Sequence, residues 1–409
     1  MRILYVTTTF PPKSFGGVTT VSYKVARMMS GRGHQVTVFT TDLEDRSART
    51  PRPRELVEMS GLSVHYFANA SNRLANAGFF SPMMMIRAIR RHILDFDLIH
   101  VHDLRSLPSV AVHHYALMHK VPYVLQAHGS AATFFQKGLL KSAYDRMWGQ
   151  SLLADAGRLI ATTPAEAQQL IGMGAREERV AVVPNGIDVS EFANPPPRGS
   201  LRQKLGIPDS HRIVLFLGRL NRVKGADLLV DAFAQLSRDH QDVDLIIAGP
   251  DDGDLGTISK MIDDLRLRDR AWCVGTLTGK DKLAAYVDAD IFVLPSRYEI
   301  FGLVTFESIM CGTPVVVTDA CGTASMVRDA GMGYVAKAGD TASLCDMIAR
   351  ALSDPSEGSD QVERGQRYVM DNLALDIVVT QLESLYGELL PPEGAVRAGH
   401  AQPDSPMES

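Results

Sequence analysis

Cysteine is scarce in this chain: of 409 residues only Cys273, Cys311, Cys321 and Cys345 carry a thiol, and no two stand as a C-x-x-C pair. That pattern argues against a disulfide framework and against a structural zinc site, and it fits a reduced, cytoplasmic setting. Long apolar runs are missing too. None approaches the roughly 20 residues that span a bilayer, which leaves peripheral contact, at the inner face of the cytoplasmic membrane, as the only membrane role. Neither sign of charge dominates, since 42 Lys and Arg against 47 Asp and Glu give a formal charge of −5. An overall nucleic-acid binder is not expected from that balance. The first residues, Met1–Thr7, form too short an apolar run for a signal-peptide core before Pro11 and Pro12, and read as a strand.

What is present is a globular composition on a chain too long for one ordinary core, so two domains are expected. The first half alternates short apolar runs with amphipathic ones. Strands are predicted at Ile3–Thr7, Gln35–Thr40, Ser63–Phe67, Leu98–His102, Tyr123–Ala127, Arg158–Ala161 and Val180–Val183. Helices are predicted at Thr19–Ser30, Pro82–Leu94, Pro108–Lys120, Leu139–Asp155 and Pro164–Met173. Nearly continuous apolar strands separated by helices imply an α/β, doubly wound parallel sheet. Asn194-Pro195-Pro196-Pro197 interrupts the pattern and reads as a linker. The alternation then restarts with strands at Ile213–Leu217, Asp244–Ala248, Ala271–Val274, Ile291–Leu294, Pro314–Val317 and Gly333–Ala336. The expected division is therefore 1–190 and 198–372, a final helix at 376–390, and a small, polar tail at 393–409 that reads as disordered.

In such sheets ligands bind beyond the carboxyl ends of the strands, near helix N-termini. Three turns qualify. The first carries Phe15-Gly16-Gly17, either a flexible turn or a place where backbone N–H groups approach a phosphate; it is not the G-x-G-x-x-G fingerprint. The second, Gly218-Arg219-Leu220-Asn221-Arg222-Val223-Lys224-Gly225, puts cations just past a strand, as a diphosphate site or a solvated basic loop. The third runs from Pro295 to Glu307. There Glu299 precedes a helix, Glu307 lies within it, and the N–H groups of Phe301, Gly302 and Leu303 are free to face an anion. Carboxylates accept hydrogen bonds from paired hydroxyls, so Glu299 and Glu307 suit sugar or ribose, unless they are ordinary surface charges. Glu307 falls among Phe306, Ile309 and Met310, which places it on a face expected to be buried. His100 and His102 share a strand face, but no ligand set completes a metal site.

Taken in order, these segments resemble the retaining glycosyltransferases of family 4. The resemblance covers roughly residues 1–390 and also includes Gly31-Arg32-Gly33-His34, Pro184-Asn185-Gly186-Ile187-Asp188 and Cys311-Gly312-Thr313-Pro314. It implies a GT-B architecture, two Rossmann-like domains facing each other across a cleft, and transfer of a sugar from a UDP- or GDP-linked donor to a glycan, lipid-linked or small-molecule hydroxyl. It also implies that no metal or cofactor takes part. By position, Arg219 and Lys224 hold the donor diphosphate, Glu307 the ribose, and Glu299 the donor sugar; Gly17 approaches a phosphate from the other domain. His128, in Gln126-Ala127-His128-Gly129, matches the family's histidine near the transferred sugar, so His128, Arg219, Lys224 and Glu299 are the candidate catalytic set. Ile300 departs from the small residue or proline usual there, which leaves the sugar open. A nucleotide-sugar epimerase and a non-catalytic nucleotide-sugar-binding subunit are the rival readings on this fold. Two basic apolar segments, Met83–Leu94 and Phe134–Lys141, are candidates for a lipid surface or, more ordinarily, for core-facing helices.

Overall fold

The computed structural model describes residues 1–11, 16–43, 56–76, 80–130 and 142–391. Phe15, the segment Phe134–Lys141, the start of the helix predicted from Leu139 and the tail 393–409 lie outside the described residues. The chain forms two compact units, Met1–Gly186 together with the residues from Leu375 onward, and Ile187–Ala374. The first unit ends ahead of the proline run. Ile187 donates its N–H to the Leu373 carbonyl at 2.7 Å, and Ile187 and Phe192 are both buried in the core of the second unit.

The sheet of the first unit contains β1 (Arg2–Val6), β2 (Gln35–Thr41), β3 (Leu56–Met59), β4 (Leu62–Phe67), β5 (Leu98–Val101), β6 (Tyr123–Gln126), β7 (Arg158–Ala161) and β8 (Val180–Val182). Their order is β3-β4-β2-β1-β5-β6-β7-β8, parallel except for the antiparallel β3–β4 pair. The central strand β1 pairs Ile3 with Val36 on one side and with Leu98 on the other. Strand β3 escaped the sequence reading because it pairs with β4 as a hairpin around Ser60 and Gly61, an edge addition to the alternating pattern. Leu4, Val6, Phe39, Ile99, Leu125 and Leu159 share a core with helix residues Met85, Ile89, Val112 and Leu170.

The helix Met83–His92 therefore turns Met85 and Ile89 inward, with Ile86 half-buried against the same core. Its apolar stripe is occupied by the sheet, the ordinary alternative to a lipid surface; Met83 and Met84 are the apolar residues left exposed. No helix among the described residues is long and apolar enough to cross a membrane.

The last helix, Leu375–Gly387, packs on this first unit through Val378, Val379, Leu382 and Tyr386. Arg32 donates to Glu383 and Thr380, and His34 Nε2 sits 2.9 Å from the other Glu383 oxygen. Deeper in, the Tyr386 hydroxyl lies 2.6 Å from His100 Nδ1 and 3.3 Å from the Tyr5 hydroxyl.

The second unit holds β9 (Arg212–Leu217), β10 (Val243–Ala248), β11 (Ala271–Gly275), β12 (Ile291–Leu294), β13 (Val315–Thr318) and β14 (Tyr334–Ala336), all parallel, in the order β11-β10-β9-β12-β13-β14. Four of these strands are buried almost throughout, because helices cover both faces. The helix Ala226–Asp239 shows the matching pattern, burying Leu229, Val230, Phe233 and Leu236 at helical spacing. In each sheet the chain leaves the first strand in both directions, so the order reverses between β1 and β5, and again between β9 and β12. Those are the positions at which parallel sheets open a crevice for ligands.

Tyr386→Phe deletes a buried hydroxyl and leaves His100 Nδ1 without it. Urea denaturation should show a loss of about 1–3 kcal/mol, and unchanged stability would show that the bond to His100 is not formed.

Candidate active site

At the reversal in the second unit, two loops are stitched together. One follows β9 and contains Arg219 and Lys224; the other follows β12 and contains Arg297 and Glu299. Arg297 donates its N–H to the Val223 carbonyl at 2.8 Å and grips Asp227 through both terminal nitrogens at 2.7 and 2.6 Å. Asn221 caps the short turn by accepting from the Lys224 N–H, and Gly225 follows in the left-handed region at φ 73°. Only glycine fits there, since a Cβ would stand 2.1 Å from the Pro295 carbonyl oxygen. This close approach of the two loops brings the Lys224 ammonium onto the Glu299 carboxylate as an ion pair.

Glu299 is fixed from the far side as well. Its N–H donates to Ala320 and its carbonyl accepts from Gly322, tying it to the turn after β13. Three residues on, Gly302 at φ 63° is the N-cap of the helix Leu303–Met310 and offers no side chain to cap it. The Thr305 N–H donates to the Gly302 carbonyl at 2.9 Å, and the N–H groups ahead of it are left for an incoming acceptor. The Phe301 side chain is buried, so only its backbone faces a ligand. Ile300 is buried too, in the core of this unit.

Glu307 follows in the second turn of the helix, flanked by fully buried Phe306 and Ile309. Its two oxygens are held by Lys282 Nζ at 3.0 Å and by the Tyr286 hydroxyl at 2.9 Å. Arg219 is the most exposed member of the group and pairs with Asp252 at 2.9 Å; Asn221 Nδ2 donates to the same oxygen at 2.8 Å. An exposed pair of this kind contributes about 0–1 kcal/mol, so an anionic ligand displaces it at little cost. Asp252, Lys282 and Tyr286 were not singled out in the sequence, and Asn221 only as part of the Gly218–Gly225 segment; Lys282 and Tyr286 share the helix Gly279–Asp288, and each of the four acquires its partner only on folding.

The remaining predicted residues belong to the first unit. Gly16, at φ 116°, is the N-cap of the helix Gly17–Gly31, again with no capping side chain and no acidic residue in the first turn. His128 lies just past β6 in a left-handed conformation, φ 50°, unusual for a residue with a Cβ. Two neighbours hold it there. His102, just past β5, places Nδ1 3.0 Å from His128 Nε2. The fully buried Glu166 accepts from the Gly129 N–H at 2.5 Å and from the N–H and hydroxyl of Thr162. The sequence signal for Glu166 is the Thr163-Pro164-Ala165-Glu166 capping pattern, and Thr163 does accept from the Glu166 N–H. His100 and His102 stack at 3.9 Å. Among the described residues no group of His, Cys, Asp and Glu is arranged to hold a metal ion.

Burial dominates the protonation of this cluster. It lowers His128 and His100 to about 3 and His102 well below its ordinary value, and it lifts Asp103 to about 6. The imidazoles are therefore neutral at physiological pH.

Comparison with known proteins decides the family. Residues 15–191 match the model described as Glycosyltransferase Family 4, and residues 197–368 match Glycosyl transferases group 1. The D-inositol 3-phosphate glycosyltransferase 1 of Catenulispora acidiphila is 31% identical over 366 residues, covering 83% of both chains. That of Thermobifida fusca is 30% identical, covering 83% of this chain and 81% of its own. The chain belongs to glycosyltransferase family 4. Among solved structures, Anabaena HepE in complex with UDP-glucose superposes with a TM-score of 0.78 at 21% identity, covering 95% of this chain and all of that one. WaaG, a glycosyltransferase involved in lipopolysaccharide biosynthesis, superposes at 0.72 with 19% identity, covering 94% and 100%. The fold of this glycosyltransferase is accordingly GT-B.

Histidines depressed below their unfolded value bind fewer protons folded than unfolded, so stability falls as pH drops through 6.5 toward the folded values. His65, lowered to about 4, acts in the same direction, whereas Asp103, raised to about 6, opposes it. Four groups against one predict that the urea midpoint of this glycosyltransferase decreases between pH 7 and pH 5; a flat or rising midpoint would contradict the buried, neutral cluster.

Proposed function

We propose that this family 4 enzyme transfers a glycosyl group from a nucleoside diphosphate sugar to an acceptor hydroxyl, with retention of anomeric configuration and without a metal. The observation that carries the reading is the Lys224–Glu299 pair beside the uncapped start of the helix Leu303–Met310. A cation, a carboxylate and free N–H groups converge there, at the strand reversal of the second unit. The leaving diphosphate gains charge as the glycosidic bond breaks. Lys224, Arg219 and the N–H groups of Phe301, Gly302 and Leu303 are suited to receive it, and a donor of this kind typically lowers a barrier by about 3–4 kcal/mol. When Lys224 turns to phosphate, Glu299 is released to accept from sugar hydroxyls. Glu307, held by Lys282 and Tyr286, accepts from the ribose hydroxyls. Gly16, Gly17 and His128 act from the first unit, the glycines on phosphate and His128 on the transferred sugar.

Retention follows if the acceptor attacks the face the diphosphate leaves, with a phosphate oxygen taking the acceptor proton. The relatives' names make D-inositol 3-phosphate the first acceptor to assay, with UDP- and GDP-sugars as first donors.

Thermal stabilisation across UDP-, GDP- and ADP-sugars should single out one base, because a bound ligand raises stability by mass action. Lys224→Ala should abolish transfer while the protein stays folded by circular dichroism; turnover at the wild-type rate would remove the diphosphate role. Glu307→Gln should weaken nucleotide binding about tenfold, the loss of roughly one charged hydrogen bond, with unchanged affinity by calorimetry counting against a ribose contact. Isotope-labelled donor incubated without acceptor distinguishes an epimerase, which would alter the sugar unaided.

A further inference from the structure

Behind His128 lies a buried ring system with no part in donor binding. Four elements contribute to that system: the end of β1 through Tyr5, β5 and the residue after it through His100 and His102, the turn after β6 through His128, and the last helix through Tyr386. The Tyr5 ring lies against both His100 and His102, with centroids 5.1 and 4.9 Å away. The rings of His102 and His128 are nearly coplanar in orientation, 18° apart, and joined by the 3.0 Å contact between Nδ1 and Nε2. At the other end Tyr386 fixes His100 through Nδ1.

His100 Nε2 and His102 Nε2 are both unshared in this cluster, and the one on the ring that meets His128 is His102 Nε2. It is buried and has no hydrogen-bond partner among the described residues. A neutral imidazole has one N–H and one bare nitrogen, so the proton of His102 sits either on the orphaned Nε2 or on the Nδ1 that faces His128. A buried N–H without an acceptor is the rarer of the two arrangements in folded proteins. The proton therefore belongs on Nδ1, where it has His128 Nε2 to donate to. His128 then has a bare Nε2 and must carry its own proton on Nδ1.

We propose that His102 is a positioning residue for His128: it donates from Nδ1 to His128 Nε2, holding His128 as the Nδ1–H tautomer and thus as a hydrogen-bond donor toward the transferred sugar. The inference rests on the donor-side role of His128 given under Proposed function. Glu166 secures the backbone of the same turn through Gly129, so ring and backbone of His128 are set by different residues. Burial keeps both imidazoles neutral, as the arrangement requires.

The test is the ring-nitrogen spectrum of the full-length protein labelled with 15N-histidine, assigned by loss of one signal set in His128→Ala. Wild type should show His128 protonated at Nδ1 and bare at Nε2. In His102→Phe, which keeps the aromatic volume but removes the donor, that pattern should be lost. Turnover of the same variant should fall about 10- to 100-fold, by analogy with removing the residue that orients a metal-bound imidazole, with donor KM little changed. His102→Asn, whose side-chain amide can donate in place of Nδ1–H, should recover much of the turnover. A wild-type His128 protonated at Nε2, or a His102→Phe enzyme turning over at the wild-type rate, would overturn the proposal. Wild-type turnover in His128→Ala would instead strike the donor-side role of His128, a failure separable from the tautomer result.

Discussion

Parallel pairing is the constraint on which the rest of this glycosyltransferase depends. A parallel strand has to be re-entered from the same end, so every connection in the sheet carries the chain back over a face, and every strand finishes at a common edge. In the second unit that edge gathers Arg219 after β9, Glu299 after β12 and the turn after β13 that anchors Glu299. In the first unit the same rule lines up the residues past β5 and β6, His102 and His128. Residues as far apart as Lys224 and Glu299, 75 positions, thus become neighbours without any local sequence signal between them.

What distinguishes the polar groups at the edge is that their interactions differ in depth. Arg219 lies in solvent with a replaceable partner, Lys224 and Glu299 are mostly covered, and the imidazole cluster of the first unit is buried. Exposed charge is cheap to redirect, whereas buried polar groups are held by whatever partners the fold provides. The gradient matches the proposed division of labour, with mobile cations for a ligand that arrives and leaves, and fixed rings for a group whose orientation has to persist. The last helix takes part in the second of these, because Tyr386 closes the cluster from behind while Glu383 ties the helix to Arg32 and His34.

Much of this was legible in the chain itself. Apolar runs of four to six residues between amphipathic stretches gave the two α/β units, since a strand covered on both faces has no polar side to alternate with. Gly225 and Gly302 were placed at a loop end and a helix start, and the structure adds that a side chain there would meet backbone or neighbouring groups. Glu307 was conspicuous as a carboxylate among residues bound for the core. Other features were opaque for equally physical reasons. Strand β3 pairs as a hairpin at the sheet edge and breaks the strand–helix rhythm, and the arginine-bearing helix Met83–His92 hides its apolar stripe against the sheet, with Met85 taking part.

The sequence by itself determined the alternation of strands and helices, β3 excepted, and the residue types available at each strand end, because periodicity and turn chemistry are local properties of the chain; its ordered motifs carried the family resemblance. Only the tertiary structure decided the partners: Asp252 for Arg219, Tyr286 and Lys282 for Glu307, His102 and Glu166 for the turn at His128. Hydrogen bonds and ion pairs act over about 3 Å, and which groups come within that distance depends on how sheets and helices pack, something no stretch of chain encodes alone.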